Sequence, residues 1–173
     1  MTGRGDARHE PIGHDAVRHE DVRHEGARPD APAFPSADAY AREPVRHPPL
    51  HVVDVQAEQH AIADAYRNLV LGRVDTGAAA NCLRLAVFTG EYRWHLHPHS
   101  DELFLVVEGR LEVDVEGGRT LALGPWQCVV VPAGTVHRTR AVGRTVNLTV
   151  EALGADTLFV DAPPPVPPSA PPP

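Results

Sequence analysis

The sequence predicts an all-β domain, either a sandwich or a barrel, with a disordered tail at each end. Between about His51 and Ala162, short runs rich in apolar and β-branched residues alternate with glycine-containing turns. Many short strands at this spacing are typical of sandwiches and barrels. Most of the 18 prolines cluster at the two ends of the chain, outside these runs. The central segment of about 110 residues is long enough to fold by itself.

Residues 1–49 form the predicted N-terminal tail. A five-residue unit repeats between Arg8 and Ala27, and each copy contains a histidine followed by an acidic residue. A period of five matches neither the 3.6 residues of a helical turn nor the two of a strand, so no continuous apolar face forms. We interpret the repeat as a solvated low-complexity segment, and metal binding by its histidines is the alternative.

Residues 50–162 form the predicted barrel, and residues 163–173 form a polyproline II tail. The predicted strands are Val52–Val55, Arg67–Val74, Cys82–Thr89, Trp94–His97, Glu102–Glu108, Arg110–Val115, Thr120–Leu123, Cys128–Val131, His137–Ala141, Thr145–Val150 and Thr157–Val160. One helical turn is predicted at Glu58–Ala65. Neither tail offers much apolar surface, so deleting Met1–Arg46 and Pro163–Pro173 is expected to leave the melting temperature nearly unchanged.

The composition argues against several functional classes. A net charge of -7 argues against a surface for nucleic acid or anionic membrane. The absence of lysine excludes a Schiff-base lysine and a lysine-containing phosphate loop. No apolar run reaches the roughly 18 residues of a membrane span, and the N-terminus lacks a signal-peptide core. We therefore expect a cytoplasmic protein, with Cys82 and Cys128 reduced and buried as packing groups.

Two segments carry a candidate metal site. Strand alternation places His95 and His97 on the same face, and Pro98 then ends the strand. Glu102 begins the next strand, and His137 begins a later one after a tight turn. Three imidazoles and one carboxylate suit one divalent transition metal, Fe, Mn, Ni, Cu or Zn, whereas Ca and Mg prefer oxygen ligands.

Neighbouring residues are given other roles. His99 forms a rival alternating pair with His97, but it lies in the turn, and we interpret it as a surface or rim residue. Trp126 is interpreted as an apolar plug on the barrel. Arg138 and Arg140 alternate with an interior position and should point away from the site.

These residues resemble the cupin superfamily, in particular its small single-domain bacterial members. The first cupin motif, G-x5-H-x-H-x3,4-E-x6-G, is matched by Gly90, His95, His97, Glu102 and Gly109, with one residue fewer before His95. The second, G-x5-P-x-G-x2-H-x3-N, is matched by Pro132, Gly134 and His137. Trp126 stands where the opening glycine of the second motif belongs. Asn147 lies too far from His137 to take the role of the closing asparagine.

The resemblance implies a double-stranded β-helix, or jelly-roll barrel, with His95, His97, Glu102 and His137 as the metal ligands inside its mouth. Four protein ligands on a six-coordinate metal leave two positions open. We expect a metal-dependent enzyme, similar to the dioxygenases or isomerases of the superfamily, that acts on a small oxygen-chelating organic molecule. The first alternative is a non-catalytic module that binds or senses a small ligand or a metal. The second is an interaction protein whose barrel joins two adhesive tails.

A homodimer is expected from the strand Glu102–Glu108. If Glu102 points inward, then Leu103, Leu105 and Val107 share the outer face, which water would otherwise contact. The run Val129–Val131 is likewise apolar on both faces. A second copy that covers this face through symmetric pairing would bury the exposed apolar surface.

Overall fold

The structure is a computed structural model that describes residues 34–75, 77 and 79–163. The histidine repeat and the proline-rich end from residue 164 lie outside the described residues. Among the described residues, two short helices precede nine strands, and the strands form a curled antiparallel sheet. The helices are α1 (Ala37–Ala41) and α2 (Val55–His60). The strands are β1 (Tyr66–Asp75), β2 (Ala80–Glu91), β3 (His95–Leu96), β4 (Glu102–Glu108), β5 (Leu111–Val115), β6 (Arg119–Leu123), β7 (Cys128–Val131), β8 (His137–Ala152) and β9 (Leu158–Phe159). The predicted all-β jelly-roll barrel is confirmed.

Strand β8 connects the two halves of the barrel. Its first residues pair with β3, β5 and the end of β2, and its later residues pair with β4 and the rest of β2. Gly143, with a φ of 75°, lies between these two stretches. Two strands were predicted here, and the structure joins them into one of 16 residues. This long strand brings the ends of the four paired strands close together.

The two faces of the sheet carry separate apolar clusters. Glu102, Phe104 and Val106 are buried in the barrel interior, as the alternation predicted. The interior cluster consists of Ala86, Phe88, Phe104, Val106, Leu111, Val113, Leu123, Val131 and Ala141. The outer cluster consists of Leu69, Leu71, Leu85, Val87 and Val146. Val53, Val55 and Ile62 pack on the outer cluster, so the chain itself covers part of this face.

Residues 34–49, hereafter the arm, lie against the barrel, so the predicted tail boundary at residue 49 is wrong. Tyr40 in α1 is buried, and Phe34 packs on the interior cluster. The backbone N–H groups of Arg46 and His47 donate to carbonyl groups of β1 at 2.8 and 3.2 Å. The arm buries two isolated aromatic side chains against distant strands, and such contacts leave no periodic pattern in the sequence.

Helix α2 replaces the predicted strand Val52–Val55. The Asp54 side chain accepts hydrogen bonds at 3.0 Å from the backbone N–H groups of Gln56 and Ala57, and this N-cap starts the helix. The helical turn predicted at Glu58–Ala65 therefore begins earlier and ends at His60. None of the described helices is long and apolar enough to cross a membrane.

Two residues predicted to be covered are exposed. Cys82 is buried, as predicted, but Cys128 is exposed because β7 pairs only with β4 and turns alternate residues toward solvent. The Trp126 side chain is 74% exposed and does not plug the barrel. Its φ of 66° lies in the left-handed region that favours glycine.

Candidate metal centre

The structure brings the four predicted ligand residues together in the barrel interior. His95, His97, Glu102 and His137 are all buried, and one donor atom from each lies within 4.8 Å of the others. His95 in β3 is paired directly with His137 in β8. The N–H group of Gly134 donates to the His97 carbonyl at 2.8 Å, which holds the turn before β8 beside the two histidines.

Backbone carbonyls orient all three imidazoles. The Nδ1 atoms of His95, His97 and His137 lie 2.8, 3.2 and 3.0 Å from the carbonyl oxygens of Arg93, Asp156 and Thr135. A carbonyl oxygen only accepts hydrogen bonds, so we assign the proton of each neutral ring to Nδ1. Each Nε2 atom then carries a lone pair that faces the centre, which is the arrangement that metal-binding histidines require.

Glu102 lies at the centre of this group. Its Oε2 atom is 3.2 Å from Nε2 of His97, 3.2 Å from Nε2 of His137 and 4.0 Å from Nε2 of His95. Four lone-pair-bearing atoms at these separations repel one another unless a cation lies between them. A proton can bridge one pair of these atoms, but a metal ion can contact all four. The donor set therefore fits a metal ion.

The electrostatics keep most of these donors available at neutral pH. Burial lowers the pKa of His95 to about 4, so its ring is neutral. Burial raises the pKa of Glu102, but the hydrogen-bonded His137 and His97 outweigh this effect and hold it below its usual range. Burial lowers the pKa of His97, and the Glu102 carboxylate more than reverses this. Metal binding would displace any proton on Nε2 of His97, because a ligating imidazole is neutral.

A cavity of about 40 Å³, enough for about three water molecules, is lined by three of the four residues, His95, His97 and Glu102. All three tyrosines of the chain line it, together with Phe88 and Phe104. Thr139, Asn147, Thr149 and Thr157 supply polar lining. Besides Nε2 of His97, three buried polar atoms of the lining residues have no hydrogen-bond partner, namely the Tyr92 hydroxyl, Asn147 Oδ1 and Thr157 Oγ1. The cavity is thus mostly aromatic, with a few polar atoms free to bind a small molecule.

Sequence reasoning missed a second buried carboxylate near the centre, that of Glu151. Its Oε2 atom lies 3.9 Å from Nε2 of His97. Its other oxygen pairs with Arg84 and accepts a hydrogen bond from Tyr40. A signal was present, because Arg84 and Glu151 are charged residues in phase with inward positions that are otherwise apolar or neutral. Alternation alone did not show which way the end of β8 faces.

The remaining predictions around the site hold. The His99 side chain is 83% exposed and lies outside the centre. Arg138 and Arg140 point away from His137 and donate to Asp114 on the other face of the sheet. Asn147, which the motif spacing left without a role, lines the cavity.

The barrel topology and the buried group of three histidines and one glutamate are those of a cupin. Residues 85–151 match the family model described as "Cupin domain". The chain belongs to the cupin family. It is 52% identical over 84 residues to the uncharacterized protein YdbB of Bacillus subtilis, a match that covers 49% of this chain and 74% of YdbB.

A second relative is the polyketide synthase CurC of Streptomyces cyaneus. It is 41% identical over 76 residues, which is 43% of this chain. This match spans only 49% of CurC.

Solved structures show the same fold. A cupin-2 domain protein from Shewanella frigidimarina has a TM-score of 0.53 at 22% identity, over 58% of this chain and 94% of that one. An uncharacterized double-stranded β-helix protein from Klebsiella pneumoniae has a TM-score of 0.55 at 18% identity, over 66% and 94% of the two chains. These likenesses support the fold alone.

Proposed function

We propose that His95, His97, Glu102 and His137 bind one divalent transition metal ion. The observation that carries this proposal is the set of four buried donor atoms within 4.8 Å of one another. Imidazole and carboxylate donors suit Fe, Mn, Ni, Cu or Zn. The three carbonyl groups beside the imidazole Nδ1 atoms support the same assignment, because they leave Nε2 of each neutral ring without a proton.

We further propose that this centre belongs to an enzyme, dioxygenase-like or isomerase-like, that acts on a small organic molecule chelating through oxygen. A bound metal supplies Lewis-acid or redox chemistry at the positions that the protein leaves open. The aromatic lining limits water, and the unpartnered atoms of Tyr92, Asn147 and Thr157 can orient the molecule. The polyketide synthase relative is a reason to include 1,3-diketones, which chelate through two oxygens, among the candidate substrates.

The second candidate is a non-catalytic module that binds or senses a small ligand. The small size of the cavity favours it, as does the wall that Tyr40 of the arm contributes. A site closed in this way can retain a ligand without turning it over.

Metal analysis of protein purified without a histidine tag tests the first proposal, and about one metal per chain is expected. Iron-loaded protein is then given catechols, flavonols, thiols and 1,3-diketones, while oxygen uptake and product formation are followed by electrode and NMR. Turnover that His95→Ala abolishes supports the enzyme. Ligand binding without turnover supports the second candidate. Absence of metal after reconstitution contradicts both the proposed metal site and the enzyme that would depend on it.

A further inference from the structure

Arg84, Glu151 and Tyr40 form a buried cluster beside the proposed metal centre. The side chains of Arg84 and Glu151 are fully buried and form an ion pair. The Tyr40 hydroxyl donates to Glu151 Oε1 at 2.8 Å, and the Arg84 guanidinium lies 4.0 Å above the Tyr40 ring. Arg84 also donates to the Tyr40 carbonyl at 3.1 Å. Taking two charges out of water is unfavourable, so these contacts hold a carboxylate at a position where a neutral side chain would be more stable.

The two oxygens of Glu151 have different surroundings. Oε1 receives both the ion pair and the tyrosine hydrogen bond. Oε2 is buried without a hydrogen-bond partner. It lies 3.9 Å from Nε2 of His97, the nitrogen that faces the metal centre. A buried acceptor without a donor destabilises the protein unless a bound molecule supplies one.

We propose that Glu151 Oε2 accepts a hydrogen bond from a hydroxyl group of the small molecule bound at the metal centre. The inference rests on the proposed metal function. It narrows the class of ligand to chelators that carry an O–H donor, such as α-hydroxy acids. Tyr40 and Arg84 act as positioning residues, since they hold Oε1 and thereby direct Oε2 toward the centre. The cluster also links the arm to the barrel, so a purely structural role is the competing explanation.

The test uses full-length protein loaded with Co²⁺, whose visible spectrum reports on its ligands. Glycolate and methoxyacetate are the probes, because they share a carboxylate and differ in having a hydroxyl or a methyl ether. The variant is Arg84→Met/Glu151→Met, which removes both charges and leaves no unpaired one buried. The control is Asp114→Asn, which removes a carboxylate that is paired with two arginines and faces away from the cavity.

Wild type and Asp114→Asn should bind glycolate about tenfold more tightly than methoxyacetate, since a single hydrogen bond can have this magnitude. The double variant should bind Co²⁺ but lose the preference. If the double variant prefers glycolate over methoxyacetate as strongly as the wild type does, Glu151 has a structural role only. A wild type without any preference for glycolate would also overturn the inference. Failure of the wild type to bind Co²⁺ would instead refute the proposed function itself.

Discussion

The hydroxyl group of Tyr40 donates a 2.8 Å hydrogen bond to Glu151, although 111 residues separate them in the chain. Burial raises the pKa of Tyr40 well above its usual value, so the phenol keeps the proton that it donates. The bond joins the arm to the last residues of β8. The arm is therefore part of the folded domain and forms one wall of the cavity beside the candidate metal centre.

Deleting residues 1–46 should lower the free energy of unfolding by at least about 2 kcal/mol, because it exposes the barrel surface under Tyr40 and removes its hydrogen bond. This reverses the neutral effect that the sequence predicted. Deletion of residues 1–33 is the matched control, because it leaves every contact described for the arm in place. Urea unfolding measures both. Equal stability of the two truncated proteins would show that the arm does not contribute.

His95→Ala and His137→Ala should each abolish stoichiometric metal binding, because each removes one of four donors from a closed site. Glu102→Gln should weaken binding less, since the amide oxygen still donates but carries no charge. His99→Ala is the control, because His99 is exposed and outside the centre. Metal content after dialysis, measured by mass spectrometry, is the readout. Full occupancy in a His95→Ala/His97→Ala double variant would refute the ligand assignment.

Trp126→Gly should stabilise the protein by about 1 kcal/mol. Trp126 has a φ of 66°, a conformation that costs a non-glycine residue roughly 1–2 kcal/mol, and its exposed side chain contributes little burial in return. Trp126→Ala removes the indole but keeps the backbone strain, so it should not stabilise. Thermal unfolding compares the two. A loss of stability in both variants would indicate that the indole is covered by a partner.

Asp114→Asn should destabilise the protein by about 1–3 kcal/mol at pH 7 and less at pH 3. The Arg140 guanidinium holds the pKa of the Asp114 carboxyl well below its usual range and outweighs burial, which raises it. A carboxylate with a depressed pKa in the folded state contributes stability above its ordinary pKa. That stability is lost as the pH falls toward the folded-state value. Urea unfolding at pH 7 and pH 3 is the measurement, with the exposed Glu116→Gln as control. A difference that does not depend on pH would contradict the ion-pair explanation.

The homodimer stays a prediction. The structure reduces the apolar outer face that it would use to one row of residues. Leu103 in β4 lies between Val130 of β7 and Val150 of β8, which are 51% and 39% exposed. Val130→Glu should therefore convert dimers into monomers in sedimentation experiments at micromolar concentration. Val142→Glu, at an exposed position outside this row, should leave them intact. A wild-type monomer under these conditions would refute the dimer.

Local patterns in the sequence were enough to predict most of the strands and the four residues of the candidate metal centre. The alternation in β4 and the His-x-His pair indicate which side chains share a face. Pro98 and Gly134 mark the turns before β4 and β8. Gly109 shows how strictly these turns are specified. A β-carbon there would lie 2.5 Å from the Arg144 carbonyl oxygen. Alternation and turn residues act within a few residues, so the sequence displays them directly, whereas the crowding at Gly109 comes from a distant residue on β8.

Contacts between distant residues decided most of the rest, and one local cap is the exception. Asp54 turned a predicted strand into a helix through a local cap that the apolar run concealed. The arm, the inward direction of Glu151 and the exposure of Cys128 depend on which strands are neighbours, and strand order is a property of the whole sheet. Tyr40 and Arg84 look unremarkable one at a time. Their cluster exists only because β2, β8 and the arm meet at one side of the barrel, where burial makes every unpaired charge costly.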